Sequence, residues 1–255
     1  MFEHQLGYVE WLTEHFYSLA ESLGLHLPHK PLDHVWMVLI VVVFWLIFLA
    51  AQKKKYNIYP GPVQQGLEAY HRFVASLARD IIGPEGTKYV PLLGTLGFFI
   101  LTGNLMGLIP IFKSPTANIN VTFACAITVF VYYHSQGIKE QGIVNYLKHF
   151  SGPVWWLAPI FVPIEVIGHL ARPVSLSFRL FGNIFGEDTI ILILAGLVPF
   201  LVPLPMMCLA VFTSLIQTLV FLMLSSVYIA GAIAHEHAQE ESHGHGHDME
   251  PAAAH

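Results

Sequence analysis

From Val35 to Ala51 every side chain is apolar. That is close to the roughly 20 residues an α-helix needs to cross about 30 Å of hydrocarbon. Several later runs approach the same length. With 55% hydrophobic and 11% charged side chains in 255 residues, and a mean hydropathy of +0.58, the chain has more apolar surface than one soluble core would bury. Lipid is the expected solvent for much of it, so the sequence describes an integral membrane protein.

Basic residues set the expected orientation. Lys53, Lys54 and Lys55 follow the first span (about 35–51), and Lys139 and Lys148 follow a span at about 121–137. Both loops therefore face the cytoplasm, and the amino terminus lies outside. After Pro60-Gly-Pro62, the positions Val63, Leu67, Tyr70, Val74, Leu77 and Ile81 recur at helical spacing, with Gln64, Glu68, Arg72, Arg79 and Asp80 on the opposite face. This pattern predicts an interfacial helix over about 61–83, lying on the membrane surface as a scaffold. A span at about 92–109 returns outward. Proline clusters at Pro153 to Pro163 and at Pro199, Pro203 and Pro205 divide the remaining apolar sequence, which reads as two long helices joined in a hairpin over about 159–234. The expected fold is an all-α membrane protein with about five crossings and one or two interfacial helices, the first of these around Val9 to Leu23. Residues 1–31 form an extracytoplasmic segment, 32–234 one membrane domain, and 235–255 a cytoplasmic tail.

Several function classes are excluded at this stage. The formal charge of −5 is concentrated in the tail, where Glu236, Glu240, Glu241, Asp248 and Glu250 lie, and nothing supports nucleic-acid binding. Cys125 and Cys208 fall within apolar runs without metal or disulfide spacing. Glu3, Glu10, Glu14 and Glu21 stand where a signal peptide carries basic residues, so no cleavage or transit peptide is expected. The tail from His235 to His247 is histidine-rich but poor in apolar residues; a solvated, disordered segment is expected there, with no structural metal and no cofactor.

The chemistry concentrates in the hairpin. An arginine at mid-bilayer costs several kcal/mol and cannot shed its proton, since its pKa exceeds about 12. Arg179 is flanked by Phe178, Leu180 and Phe181, with Ser175 one turn before it and Asn183 one turn after. Glu165 and Arg172 lie near the same face at heptad steps. If the chain reverses near Val198, Arg179 sits beside Gln217, and Glu187 and Asp188 sit opposite Cys208 to Ala210, towards the turn. Nineteen residues from Val198 back to Arg179 span roughly 28 Å in a helix, so a mid-membrane Arg179 requires strongly tilted helices. The arginines can alternatively pair with Glu165 or Glu187 to lock helices together. His169 reads either as a packed, hydrogen-bonded histidine or as a proton relay, and Asn183 and Gln217 as interhelical glue.

The run PVSLSFRLFGNIFGED at 173–188, the later Ile216-Gln217 and Val227-Tyr228-Ile229, and the upstream Asn104-Leu-Met-Gly-Leu-Ile-Pro110 and Asn118-Ile-Asn-Val-Thr122 closely resemble the a subunit of F-type rotary ATP synthases. The resemblance implies a stator with two offset proton half-channels beside a ring of c subunits, each bearing a membrane-embedded carboxylate. It further implies peripheral-stalk b subunits and lipid as partners, the catalytic sector contacted through the stalk, no catalytic site on the chain itself, and a bacterial inner membrane. By the same resemblance Arg179 is the essential cation at the ring contact, with Asn183 and Gln217 as its polar neighbours. Glu187 and Asp188 form the inlet relay from the outer side. Glu165, with Ser175 and His169, lines the cytoplasmic outlet.

The sequence departs from some relatives in having Ala210 where they carry a histidine and Glu187 where they carry a glycine. Gly107 and Asn118 likewise replace aspartates, making the outer mouth less acidic. Two other function classes compete. A secondary transporter would use Arg179 as an anion site in an enclosed pocket. A membrane metalloenzyme would need His169, His134 and His149 to converge, although His134 and His149 are expected at the cytoplasmic edge.

Overall fold

The computed structural model describes residues 33–53, 61–109, 112–142, 158–197 and 201–233, together with residues 11, 14, 15 and 18. The amphipathic helix expected around Val9 to Leu23 falls mostly outside these residues. Lys54, Lys55, Lys148, His149, Pro153, Pro199 and the histidine-rich tail lie outside them entirely. Among the described residues there are six α-helices and no strand: α1 Asp33–Lys53, α2 Pro62–Ile82, α3 Val90–Met106, α4 Ile119–Gln141, α5 Ala158–Leu197 and α6 Pro203–Ile233. Short 3-10 turns, Pro84–Tyr89 and Pro115–Ala117, precede α3 and α4.

Helix boundaries follow local chemistry. α2 begins with proline at its first position, where a missing N–H costs nothing, and stops at Gly83. Gly83 adopts φ 102 and donates its N–H to the Arg79 carbonyl at 2.9 Å; that left-handed conformation suits glycine and closes the helix. Asn118 caps α4 by accepting the Asn120 N–H at 2.9 Å. α5 runs straight through Pro163 and Pro173. Each proline leaves a carbonyl one turn earlier without its usual partner, yet neither ends the helix, and α5 and α6 remain separate elements bounded by Leu197 and Pro203.

Four helical segments are long and apolar enough to cross a membrane: His34–Gln52, Pro84–Met106, Val162–Leu197 and Pro203–Ile233. The fifth expected crossing forms as α4 but is too polar to meet that measure. Its polar groups turn inward against α5: Thr122 meets Ser177 at 3.1 Å and Tyr133 meets His169 at 3.2 Å. α5 has 40 residues and is therefore about 60 Å long, twice the thickness of a hydrocarbon core. It fits a bilayer only if steeply inclined, as the sequence predicts.

The core lies where α2 to α6 meet, around Val74, Leu93, Tyr133, Leu180, Phe221 and Ile229. α1 packs mainly on α3, with Met37 and Val41 against Met106 and the Trp45 Nε1–H donating to Thr102 Oγ1 at 2.9 Å. Its other face exposes Phe44, Leu46 and Ile47, as a lipid-facing helix should.

The amphipathic α2 is pinned by Tyr70, whose hydroxyl donates to the Gly94 carbonyl at 2.9 Å and whose ring packs on Phe98. Burial pushes this phenol up to about 12, so it remains a donor throughout the physiological range. Gly97 makes the contact possible, because a Cβ there would collide with the Tyr70 hydroxyl and come within 3.0 Å of Leu222. Gly97→Ala is expected to destabilise the assembly by about 1–3 kcal/mol through overpacking, read as a lower melting temperature of the purified complex. An unchanged melting temperature would mean that α2 is held elsewhere.

Candidate functional site

Arg179 projects from the middle of α5 onto an exposed lateral face. Phe178 beside it is 60% exposed, and Ser175 and Asn183, one turn away on either side, are also exposed. A Cβ placed on Gly182 or Gly186 would meet nothing within 4 Å. Among the described residues no carboxylate pairs with Arg179. Each acid of α5 has another neighbour: Glu165 bonds His169, Glu187 lies near Thr213 on α6, and Asp188 approaches Gly107 beyond α3. Among the described residues Arg172 pairs with no acid either; its guanidinium lies over the Tyr228 ring, 5.4 Å from the centroid.

The hairpin register differs from the expected one by a helical turn. Gln217 accepts a hydrogen bond from Asn183 Nδ2 at 2.8 Å, one turn along α5 from Arg179. Glu187 lies near Thr213, whose hydroxyl donates to the Ala210 carbonyl one turn earlier. Both pairs are centred on residue 200, midway between the end of α5 at Leu197 and the start of α6 at Pro203. Gln217 and Ala210 are buried, so the exposed Asn183 links the Arg179 face to the interior.

Two polar clusters flank this point. Near the hairpin turn, a Cβ on Gly107 would lie 3.3 Å from Asp188 Oδ1 and 2.8 Å from Ser114 Cβ, so the absence of a side chain lets the carboxylate approach the backbone. Ser114 Oγ donates to the Gly103 carbonyl at 2.9 Å and lies 2.7 Å from Thr116 Oγ1, which donates to Asn104 Oδ1 at 2.6 Å. Asn104 is 3% exposed, and its Nδ2 has no protein partner. A buried amide left in that condition is costly unless water reaches it. Asn104, Ser114, Thr116 and Thr213 escaped the sequence reading of the site; the available signal was a lone asparagine within an apolar span.

At the other end, His169 Nε2 lies 3.2 Å from Glu165 Oε1 and Nδ1 lies 3.2 Å from the Tyr133 hydroxyl. His134 stands with its ring centroid 5.2 Å from that of His169. The two imidazoles thus come closer together than sequence reasoning expected, yet among the described residues no three His, Cys, Asp or Glu side chains are grouped to hold a metal ion. Ser175 does not join Glu165. Ten residues separate them, about 15 Å along the axis, and they point roughly 80° apart; Ser175 shares the face of Arg179 instead.

Between the clusters, Leu176, Leu180 and Ile184 of α5 pack with Phe221 and Leu222 of α6 and Val129 of α4. Ser177, the buried polar side chain of α5 at this level, is tied to Thr122. Leu176, Leu180, Phe221 and Leu222 thus form an apolar layer between the two end clusters, with the buried Gln217 and Thr218 of α6 beside it and a permanent cation at its lateral edge.

Comparison with known proteins agrees with the sequence and this geometry. The family described as ATP synthase A chain matches residues 34–230. ATP synthase subunit a 2 of Syntrophotalea carbinolica is 43% identical over 236 residues, covering 92% of this chain and 99% of the relative. ATP synthase subunit a of Sulfurihydrogenibium sp. is 46% identical over 203 residues, covering 80% and 98%, and that of Geobacter sulfurreducens is 43% identical over 222 residues, covering 87% and 96%. With its long apolar helices and its cation held between two polar clusters, the chain belongs to the ATP synthase A chain family of integral membrane proteins.

Proposed function

We propose that this chain is the stator of a rotary ATP synthase, carrying two offset proton half-channels to a ring of c subunits and converting proton flow into ring rotation. The observation that carries the proposal is Arg179, a charge exposed on an apolar lateral face with no acid of its own chain among the described residues. Placing such a charge in lipid costs about 2.5–3.5 kcal/mol on insertion scales, a cost that an acid from an adjoining subunit would offset. A secondary transporter would instead enclose its arginine within its own bundle.

The ring carboxylate travels through lipid neutral and protonated. Opposite Arg179 the cation favours its ionised form, so the proton is released there. The same charge repels hydronium, and the apolar layer of Leu176, Leu180 and Phe221 gives protons no direct route between the clusters. Protons enter at the hairpin end through Asp188 and Glu187, pass Asn183 and Gln217, ride the ring, and leave past His169 and Glu165. Ser175 lines the ring contact, not the outlet. Each proton yields about 2.3 kcal/mol per 100 mV, available as torque because the direct path is closed.

The end of the bundle where α4 finishes near Lys139 is assigned to the cytoplasm, with the amino terminus outside, by the positive-inside rule. The lipid-facing α1 suits a peripheral-stalk b helix, and a bacterial inner membrane is the setting. Nucleotide chemistry belongs to the catalytic sector.

A cysteine at Gly182, where the surface is open, paired with a cysteine beside the c-subunit carboxylate, tests the contact. Oxidation of native membranes should give a covalent a–c dimer and stop ATP-driven rotation. No dimer under conditions that cross-link neighbouring c subunits would sink the stator reading.

A further inference from the structure

We infer that Tyr133 is a positioning residue for proton release, fixing the tautomer of His169 so that its Nε2–H points at Glu165 in the outlet half-channel; this rests on the stator reading above. The three groups lie in order of exposure. Tyr133 is 1% exposed, whereas the His169 side chain is 12% and the Glu165 side chain 40% exposed. The chain of contacts, 3.2 Å from the phenol to Nδ1 and 3.2 Å from Nε2 to the carboxylate, therefore runs from the protein interior to its surface. It begins about 15 Å along α5 from Arg179, ten residues away.

A neutral imidazole has one N–H and one acceptor, and the bond made by one nitrogen decides the state of the other. A phenol is a donor in this range, so Tyr133 donates to Nδ1 and leaves the proton on Nε2. When a proton arrives from the ring side it adds to Nδ1, and the Tyr133 hydroxyl turns to accept. The Nε2 proton passes to the Glu165 carboxylate and then to water. The imidazole, neutral again with its proton on Nδ1, regains its first tautomer by proton exchange: Nδ1 gives up its proton as Nε2 takes one from water by way of Glu165. Packing alone gives no reason for a hydroxyl here, because the Tyr133 ring already meets Phe130 and His134 edge-on and a phenylalanine would fill the same space. The titratable and charged groups facing His169 are Glu165 and Arg172 on its own helix, Tyr133 and His134 on α4, and Tyr228 on α6.

The test compares Tyr133→Phe, His169→Gln and the double variant in the assembled enzyme reconstituted into vesicles, with Tyr132→Phe as control for loss of a neighbouring phenol. ATP synthesis and ATP-driven pumping are measured against the pH of the compartment facing Glu165. Tyr133→Phe should slow synthesis about tenfold, the scale at which a misplaced proton-transfer group is felt. It should also displace the pH profile, and add nothing to His169→Gln. The inference is overturned if Tyr133→Phe assembles and keeps both rate and profile. It is equally overturned if the variant lowers the rate without moving the profile and slows His169→Gln by the same factor, which is how a packing defect behaves. Arg179→Ala in parallel separates the two levels. If that variant remains coupled, the stator reading itself fails; if it is inactive while Tyr133→Phe matches wild type, only the relay fails.

Discussion

Replacing Arg179 with alanine should abolish ATP-coupled proton pumping, lowering it by on the order of a hundredfold or more, the scale seen when a charge-stabilising donor is removed from a dry site. The loss should occur without loss of protein. Alanine removes the insertion cost of a guanidinium in lipid, and no acid of this chain among the described residues is left unpaired, since Glu165, Glu187 and Asp188 have other neighbours. The variant should therefore reach the membrane and assemble at normal levels. Arg179→Lys should fail nearly as badly: an ammonium beside a carboxylate in low dielectric can give up its proton, whereas a guanidinium cannot. The measurements are ATP-driven quenching of a pH-sensitive dye and passive proton conduction after the catalytic sector is stripped, with subunit stoichiometry checked on the purified complex. Full coupling in a correctly assembled Arg179→Ala enzyme would refute the assignment of this residue.

The parts of the molecule written in its sequence are those governed by one helix at a time. Lipid solvation imposes long uninterrupted apolar runs, so α1, α3, α5 and α6 were legible from hydropathy. The 3.6-residue period likewise marks α2 without reference to its contacts with α3. Arg179 was legible because a charge amid Phe178, Leu180 and Phe181 has few innocent explanations. Relations between helices were not written in the same way. The hairpin register depends on where the chain reverses between α5 and α6, and the structure pairs Gln217 with Asn183. Tyr133 and His169 come from helices far apart in the chain, and no periodicity within either one announces their contact. The Asn104, Thr116 and Ser114 cluster was obscured for another reason: uncharged polar residues are common enough in membrane helices that their convergence shows only in three dimensions.

The two inlet acids should fail in different ways. Adjacent residues on a helix point about 100° apart, and here Glu187 turns to Thr213 on α6 while Asp188 turns to Gly107 and Ser114. Glu187 also lies one turn from Asn183, whose amide reaches Gln217. Asp188 is thus the group nearer the buried Asn104 network, and Glu187 the group nearer the ring contact. Asp188→Asn and Glu187→Gln keep size and hydrogen-bonding capacity, so each should assemble normally. Each should lose proton-driven ATP synthesis by about tenfold or more, as a missing proton-transfer group does. Acidifying the outer compartment by about one unit supplies tenfold more protons by mass action. That increase should recover much of the Asp188→Asn rate, where the defect is capture from the mouth. It should recover little of the Glu187→Gln rate, where the missing step is delivery to the ring. Equal recovery in both variants would mean the acids act as one shared site, and no loss in either would move the inlet away from this end of α5. Gly107→Ala supplies an independent arm, because its Cβ would press on Ser114 and crowd Asp188 without changing any charge. It should reproduce the acid-recoverable defect of Asp188→Asn, since both changes obstruct the same passage from water to carboxylate.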